Sequence, residues 1–98
     1  MAEINLYDVL VRPIVSEKTN RMISDNNQYV FEVAPNANKR QIREAVEVIF
    51  EKKVVAVNTM IVPAKRGMRG RRAYVRSPQW KKAIVTLAEG EKIDLFEV

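Results

Sequence analysis

The chain has 98 residues, 47% of them hydrophobic, and a formal net charge of +5, which suits a single globular domain with a modest core. It contains no histidine and no cysteine, which excludes disulfide bonds, Ser-His and Cys-His catalysis, and metal sites that need imidazole or thiolate ligands. No apolar run approaches the roughly 18–20 residues of a membrane span, and the acidic amino end does not resemble a signal peptide. We therefore expect a soluble, intracellular protein with no metal and no cofactor.

Two short helical segments are predicted before the first strand. Residues 5–10 favour a helical turn with Asn5 as its cap. Pro13 interrupts this turn and favours an extended backbone at the residue before it. Ser16 is a good cap for a second helix start, and residues 24–27 are rich in turn formers. The sequence therefore predicts helix, extended segment, helix and polar loop in that order.

A strand and the main helix follow. Residues 29–33 alternate in the manner of a strand. One face of that strand carries three large apolar residues: Tyr29, Phe31 and Val33. Asn38 and Gln41 have the spacing of a capping box, and apolar residues then recur at helical intervals. We therefore predict an amphipathic helix over 39–51, packed by one stripe on a sheet.

Two further strands complete the predicted sheet. Residues 54–62 are apolar on both faces at their start, which predicts a strand covered on both sides or central in the sheet. Residues 80–87 alternate as a third strand, and 89–91 form a turn. Three last apolar residues are expected to dock on the body: Ile93, Leu95 and Phe96.

The order of elements predicts an α+β fold with a small sheet of about three to four strands. One main amphipathic helix packs on this sheet, and the strands on either side of the helix run parallel. A long basic β-hairpin loop, at about 64–80, joins the last two strands. A loop of this length inside one compact domain is expected to be functional.

The positive charge is concentrated in one part of the chain. Residues 52–88 contain ten Lys or Arg and no acid, whereas the rest contains seven Lys or Arg and twelve acids. A field of one sign over so long a span is typical of a surface that meets a phosphate backbone. Tyr74 and Trp80 lie in or beside this segment and offer faces for base stacking. The alternative from composition alone is a disordered basic loop with no ligand.

No catalytic constellation is present in the sequence. The glycine-rich piece at 66–71 lacks the Lys-Ser/Thr ending of a phosphate-binding loop and opens no helix. Glu44 and Glu47 fall on the polar face of the predicted helix, where solvated surface charge is the simplest interpretation. We therefore expect that the protein is not an enzyme.

Several motifs follow one another along nearly the whole chain. They are Arg12-Pro13-Ile14-Val15-Ser16-Glu17-Lys18, Val57-Asn58-Thr59, Lys65-Arg66 with the glycine-arginine run, Trp80-Lys81-Lys82-Ala83, Val85-Thr86-Leu87 and Glu89-Gly90. In this order and spacing they resemble the family of bacterial large-subunit ribosomal protein twenty-three. The Pro-x-x-Ser-Glu-Lys and Trp-Lys-Lys-Ala pieces are specific when they occur together.

The resemblance implies a structural constituent of the large ribosomal subunit, cytoplasmic and ribosome-bound. Such a protein packs on large-subunit ribosomal RNA beside the polypeptide exit tunnel. The implied partners are that RNA, neighbouring large-subunit proteins, trigger factor, the signal recognition particle and the nascent chain. The residues expected to contact RNA are Arg12, Lys39, Lys65, Arg66, Arg69, Arg71, Arg72, Tyr74, Arg76, Trp80, Lys81 and Lys82.

The same resemblance implies a docking role for Glu17, with Ser16 and Lys18 beside it. From physics alone, Glu17 is a helix-start acid that complements the helix dipole. Two other functions remain open at this stage: a stand-alone regulator that binds free RNA or DNA, and a protein-interaction module whose basic segment meets an acidic partner.

Overall fold

The computed structural model describes residues 5–93, and for Arg69 and residues 73–77 it describes the backbone only. The elements in chain order are α1 (Leu6–Val9), β1 (Leu10–Pro13), α2 (Glu17–Asn26), β2 (Gln28–Val33), α3 (Lys39–Ile49), β3 (Val54–Val62), β4 (Lys65–Arg69), β5 (Arg72–Ser77) and β6 (Trp80–Leu87). None of the helices within 5–93 is long and apolar enough to cross a membrane.

Four strands form one antiparallel sheet in the order β1-β2-β6-β3. Because β2 and β3 both pair antiparallel with β6, they run parallel to each other on either side of it. The parallel direction predicted for these two strands is therefore confirmed, although β6 separates them. β4 and β5 form a separate two-stranded ribbon. The predicted α+β class, with a small sheet and a long hairpin loop, is confirmed.

Both longer helices begin at reciprocal capping boxes. The Asn38 side chain accepts a hydrogen bond from the Gln41 N–H at 2.8 Å, and the Gln41 side chain accepts one from the Asn38 N–H at 2.9 Å. This confirms the predicted start of α3, which ends at Ile49 rather than at residue 51. Ser16 and Thr19 form the equivalent box at the start of α2. Each box satisfies N–H groups that have no partner inside the helix.

The polar loop predicted over 24–27 is wrong. Residues 24–26 complete α2, and Asn27 follows in the left-handed conformation with φ of 54°. Its side-chain amide donates to the carbonyl oxygens of Leu87 and Ala88 at 3.4 and 3.0 Å. Asparagine tolerates this conformation better than most residues, so Asn27 both ends the helix and ties it to the end of β6.

The core lies between the helices and one face of the sheet. It includes Tyr29, Phe31 and Val33 of β2, Ala83, Val85 and Leu87 of β6, and Ile42, Ala45 and Val46 of α3. The predicted buried face of β2 and the predicted packing of one stripe of α3 on the sheet are therefore confirmed. Ile93 is also buried, and its N–H donates to the Tyr29 hydroxyl at 3.0 Å. Leu95 and Phe96, predicted to dock beside it, lie outside the described residues.

The prediction that 54–62 forms a central or doubly covered strand is wrong. The bounds of β3 are as predicted, but it occupies one edge of the sheet and only Val54 is fully buried. Its apolar residues include side chains that face water, with Val55 59% and Ile61 52% exposed. The central positions belong to β2 and β6. An apolar sequence alone does not distinguish a covered strand from an exposed edge.

Candidate nucleic-acid interface

The basic hairpin is an extension of β3 and β6. β4 follows β3 after two residues, and β5 leads into β6 in the same way. Gly70 and Arg71 form the two-residue turn, and Gly70 has φ of +65°. Tight hairpin turns of this length require a positive φ at their first central residue, which glycine adopts without strain. The two strands give a ribbon about 17–20 Å long.

The described cations of this ribbon face solvent. Lys65, Arg66, Arg71 and Arg72 are all exposed. None of them takes part in the ion pairs found among the described side chains. Their neighbour Met68 is 68% exposed. The ribbon therefore presents to its surroundings positive charge that no described acid compensates, together with an apolar side chain.

Three more predicted contact residues belong to the ribbon, but their side chains lie outside the description. Arg69 ends β4 and pairs in register with Arg72, whereas Tyr74 and Arg76 belong to β5, where Tyr74 pairs with Gly67. Their backbone positions place them on the same extension as the exposed cations.

A second set of predicted residues lies on the sheet face opposite the core. One cross-strand row runs over β1, β2, β6 and β3 and consists of Arg12, Glu32, Lys82 and Met60. The Arg12 Nε lies 2.7 Å from a Glu32 carboxylate oxygen, with the Arg12 side chain 61% exposed. By strand alternation Trp80 shares this face with Lys82, and it is half-buried at the base of the ribbon. Arg12, Lys82 and Trp80 therefore lie on one surface of the sheet.

Lys39 and Lys81 lie on the other side of the sheet from that surface. Lys39 is exposed at the first position of α3, on the helix side of the sheet. Lys81 alternates to the same side, and its ammonium donates to the carbonyl oxygen of Ala37. This bond ties β6 to the loop before α3, so Lys81 has a structural partner within the fold.

The predicted docking residues lie at the start of α2. Ser16, Glu17 and Lys18 are all exposed. The Ser16 hydroxyl accepts from the Thr19 N–H at 3.2 Å, so Ser16 holds the first turn in place. Glu17 lines an open groove of about 590 Å³ on the outer side of α2, together with Arg21 and others. It has no ion-pair partner among the described side chains.

Some polar residues of these surfaces were not singled out from the sequence. Glu32 compensates Arg12, and Asn58 is exposed on the same face of β3 as Met60. Alternation within 29–33 and 54–62 could have placed both residues on that face, but their cross-strand partners depend on the sheet order. Among residues 5–93, no cluster of three or more acids could hold a metal ion.

Comparison with known proteins identifies relatives over nearly the whole length. The family model described as ribosomal protein L23 matches residues 8–95. The large ribosomal subunit protein uL23 of Roseiflexus castenholzii is 50% identical, covering 95% of this chain and 97% of its own. Its counterpart in Aquifex aeolicus is 48% identical over 99% of this chain and 96% of its own. The Bifidobacterium animalis protein of the same name is 51% identical over 92% and 90% of the two chains.

Proposed function

Because this chain belongs to the ribosomal protein L23 family, we propose that it is a structural component of the large ribosomal subunit that binds large-subunit ribosomal RNA beside the exit tunnel. The observation that carries the proposal is the ribbon of β4 and β5, whose described cations are exposed and form no ion pair with another described side chain. Its role is architectural rather than catalytic.

The ribbon is suited to bind phosphates rather than to read bases. A-form RNA has a deep, narrow major groove that side chains cannot read, so contact with the backbone dominates on paired regions. Arginine can donate two parallel hydrogen bonds to one phosphate, and each neutralised phosphate releases counterions. Arg71 lies in the turn at the tip of the ribbon, and Arg72 is the first residue of β5. The two neighbouring guanidinium groups therefore extend from residues with different backbone conformations.

The second surface would extend the footprint onto the sheet. Arg12, Lys82 and Trp80 share the face opposite the core, next to the base of the ribbon. Glu32 compensates part of that charge, so we expect this face to contribute less to binding than the ribbon. An unpaired base could stack on the exposed part of the Trp80 ring.

The ribbon can be tested by replacing Lys65, Arg66, Arg71 and Arg72 with alanine. Binding to a large-subunit RNA fragment is then measured over a range of salt concentrations. Each lost phosphate contact lowers the slope of log K against log salt by roughly 0.7–0.9, so the slope should fall by about 3. The circular dichroism spectrum should not change, because the four side chains are exposed.

A charge-matched control separates the effect of the ribbon on RNA binding from the effect of net charge. Four exposed cations outside it are replaced with alanine in the control protein: Arg21, Arg40, Lys53 and Lys92. The control should keep most of its salt dependence. Equal losses in the two proteins would reduce the effect to general electrostatics, and an unchanged slope in the ribbon variant would refute the ribbon as the contact.

Sedimentation tests the assembly itself. The tagged chain should migrate with the large subunit at moderate salt and remain there at high salt, because both the body and the ribbon would be embedded. Protein that stays at the top of the gradient would instead support a stand-alone nucleic-acid-binding regulator.

We also propose that the start of α2 is the docking point for trigger factor and the signal recognition particle. Glu17 supports this because it is exposed and lacks an ion-pair partner among the described side chains. Glu17→Gln removes the charge and leaves the Ser16–Thr19 cap intact. A surface ion pair contributes about 0–1 kcal/mol, so recruitment of trigger factor to ribosomes should weaken by up to about fivefold. Glu44→Gln, also exposed, is the control, and equal recruitment by the two variants would contradict the proposal.

A further inference from the structure

The outer edge of β3 lacks the features that normally protect a sheet edge. Edge strands usually carry charged residues or proline, or are kept short, since their unpaired backbone groups can recruit another strand. β3 has nine residues, VVAVNTMIV, with neither a charge nor a proline. Its one irregularity is a register shift between Val54 and Ala56. Beyond that point the edge is regular, and Met60 and Ile61 are 41% and 52% exposed.

The register identifies which backbone groups face outward. The Leu87 N–H donates to Asn27 on the β2 side, so alternate residues of β6, beginning with Thr86, face β3. Thr86 pairs with Ala56, and the pairing continues without a break to Val62. The residues of β3 between the hydrogen-bonded pairs therefore direct their backbone N–H and C=O groups away from the sheet. They are Val57, Thr59 and Ile61.

Within residues 5–93, side chains satisfy the backbone groups of this edge at its start alone. The Val54 N–H donates to a Glu47 carboxylate oxygen at 3.3 Å, and its carbonyl oxygen accepts from an Arg43 guanidinium nitrogen at 3.0 Å. Side chains of α3 thus take the place of a neighbouring strand at that residue. Among the described residues, no hydrogen bond reaches the outward groups of Val57, Thr59 or Ile61.

A cationic groove runs beside the unsatisfied part. It has a volume of about 390 Å³ and is lined by Lys39, Arg40 and Arg43 of α3 and by residues 55–57 of β3. None of its lining residues is acidic. Arg40 and Arg43 are 4.0 and 3.8 Å from glutamates one turn along α3, in exposed pairs that contribute little. The groove therefore favours an anionic occupant.

The pattern of donors and acceptors decides which kind of anion fits. Each of the three outward residues offers one N–H and one C=O, repeated at about 6.6–6.8 Å along the strand. Phosphate oxygens could accept from the N–H groups but would leave the carbonyl groups without donors. An extended polypeptide satisfies both, as in strand addition to an exposed sheet edge.

We propose that the outer edge of β3 accepts an extended acidic polypeptide segment as an added strand. Alternate side chains of that strand lie over the helix side of the sheet, where carboxylates would meet Lys39 and Arg43. Apolar side chains of the segment would lie on the opposite face of the sheet, beside the exposed Met60. This inference does not depend on the ribbon binding RNA, so the two can fail separately.

The test uses the full chain and a synthetic probe, acetyl-Thr-Glu-Val-Glu-Val-Glu-Thr-amide. Amide resonances and hydrogen exchange are followed by NMR as the peptide is added. The amides of Val57, Thr59 and Ile61 should exchange freely in the free protein. Their protection should rise about tenfold at about ten times the apparent Kd.

Peptide controls separate the backbone from the charge. A peptide with lysine in place of glutamate should bind much more weakly, and one with N-methyl groups on its hydrogen-bonding edge should lose the protection. Neither control alters the protein, so the test holds even where a variant fails to fold. Equal binding by all three peptides, or shifts confined to other amides, would overturn the proposal.

Two protein variants complete the design. Thr59→Pro removes one outward N–H, which proline tolerates on an edge strand, and it should weaken peptide binding. The double variant Lys39→Glu and Arg40→Glu should weaken peptide binding more than Thr59→Pro does. The control variant Lys18→Glu with Arg21→Glu, on α2, should leave peptide binding unchanged. Slow exchange of the three amides in the free protein, or stronger protection by a uridine dodecamer than by the acidic peptide, would refute the proposed occupant.

Discussion

The hydroxyl of Tyr29 accepts a buried hydrogen bond whose contribution to stability can be measured directly. Tyr29 is 1% exposed and Ile93 is 7% exposed, and the Ile93 N–H donates to the hydroxyl at 3.0 Å. Tyr29→Phe keeps the ring and its packing but removes the acceptor. The Ile93 N–H is then buried without a partner. An unsatisfied buried donor costs about 1–3 kcal/mol, so the free energy of unfolding should fall by that amount.

Urea unfolding of the isolated protein measures this change, with the fluorescence of the single tryptophan as the signal. A loss of 1 kcal/mol lowers the Tm by about 4–8 °C for a domain of this size, so thermal unfolding gives a second measurement. Tyr7→Phe is the matched control, because Tyr7 is 70% exposed and its hydroxyl can exchange any partner for water. Equal stability of the two variants would show that the buried bond contributes nothing.

Two caps give further predictions. Ser16→Ala should destabilise the protein by about 0.5–2 kcal/mol in urea unfolding, since it removes the acceptor for the Thr19 N–H; unchanged stability would refute the cap. Asn27→Ala should cost about 1–3 kcal/mol, because alanine is strained at φ of 54° and loses the bonds to Leu87 and Ala88. Asn27→Gly loses the same bonds but is not strained at this φ, so it should lower the free energy of unfolding less than Asn27→Ala does.

Local signals in the sequence predicted the elements well. The capping box of Asn38 and Gln41 depends on residues three apart, and the structure contains both of its bonds. Alternation within 29–33 gave the buried face of β2, because a strand has a period of two wherever it lies in a sheet. The charge pattern of about 64–80 likewise predicted an extension outside the core.

Sheet order could not be derived from the same signals. The apolar run 54–62 suggested a central strand, yet β3 lies at an edge, because β6, the last strand among the described residues, lies between β3 and β2. The partner of Arg12 is Glu32, twenty residues away, and only the pairing of β1 with β2 brings them together. The start of α2 was found by its cap, but its end depends on how Asn27 meets the end of β6.

The position of β6 has a consequence for synthesis of the chain. Ribosomes make proteins from the amino end, and domains complete folding only when their last required segment is available. β6 joins β2 to β3 and is the final strand of the described chain. Until residues 80–87 have been released, neither of those strands has its central neighbour, and the apolar faces beneath α3 remain incomplete. The turn at Gly70 then helps β6 to find β3. When β4 pairs with β5 across this turn, β6 is brought back beside β3 at a small loop-closure cost.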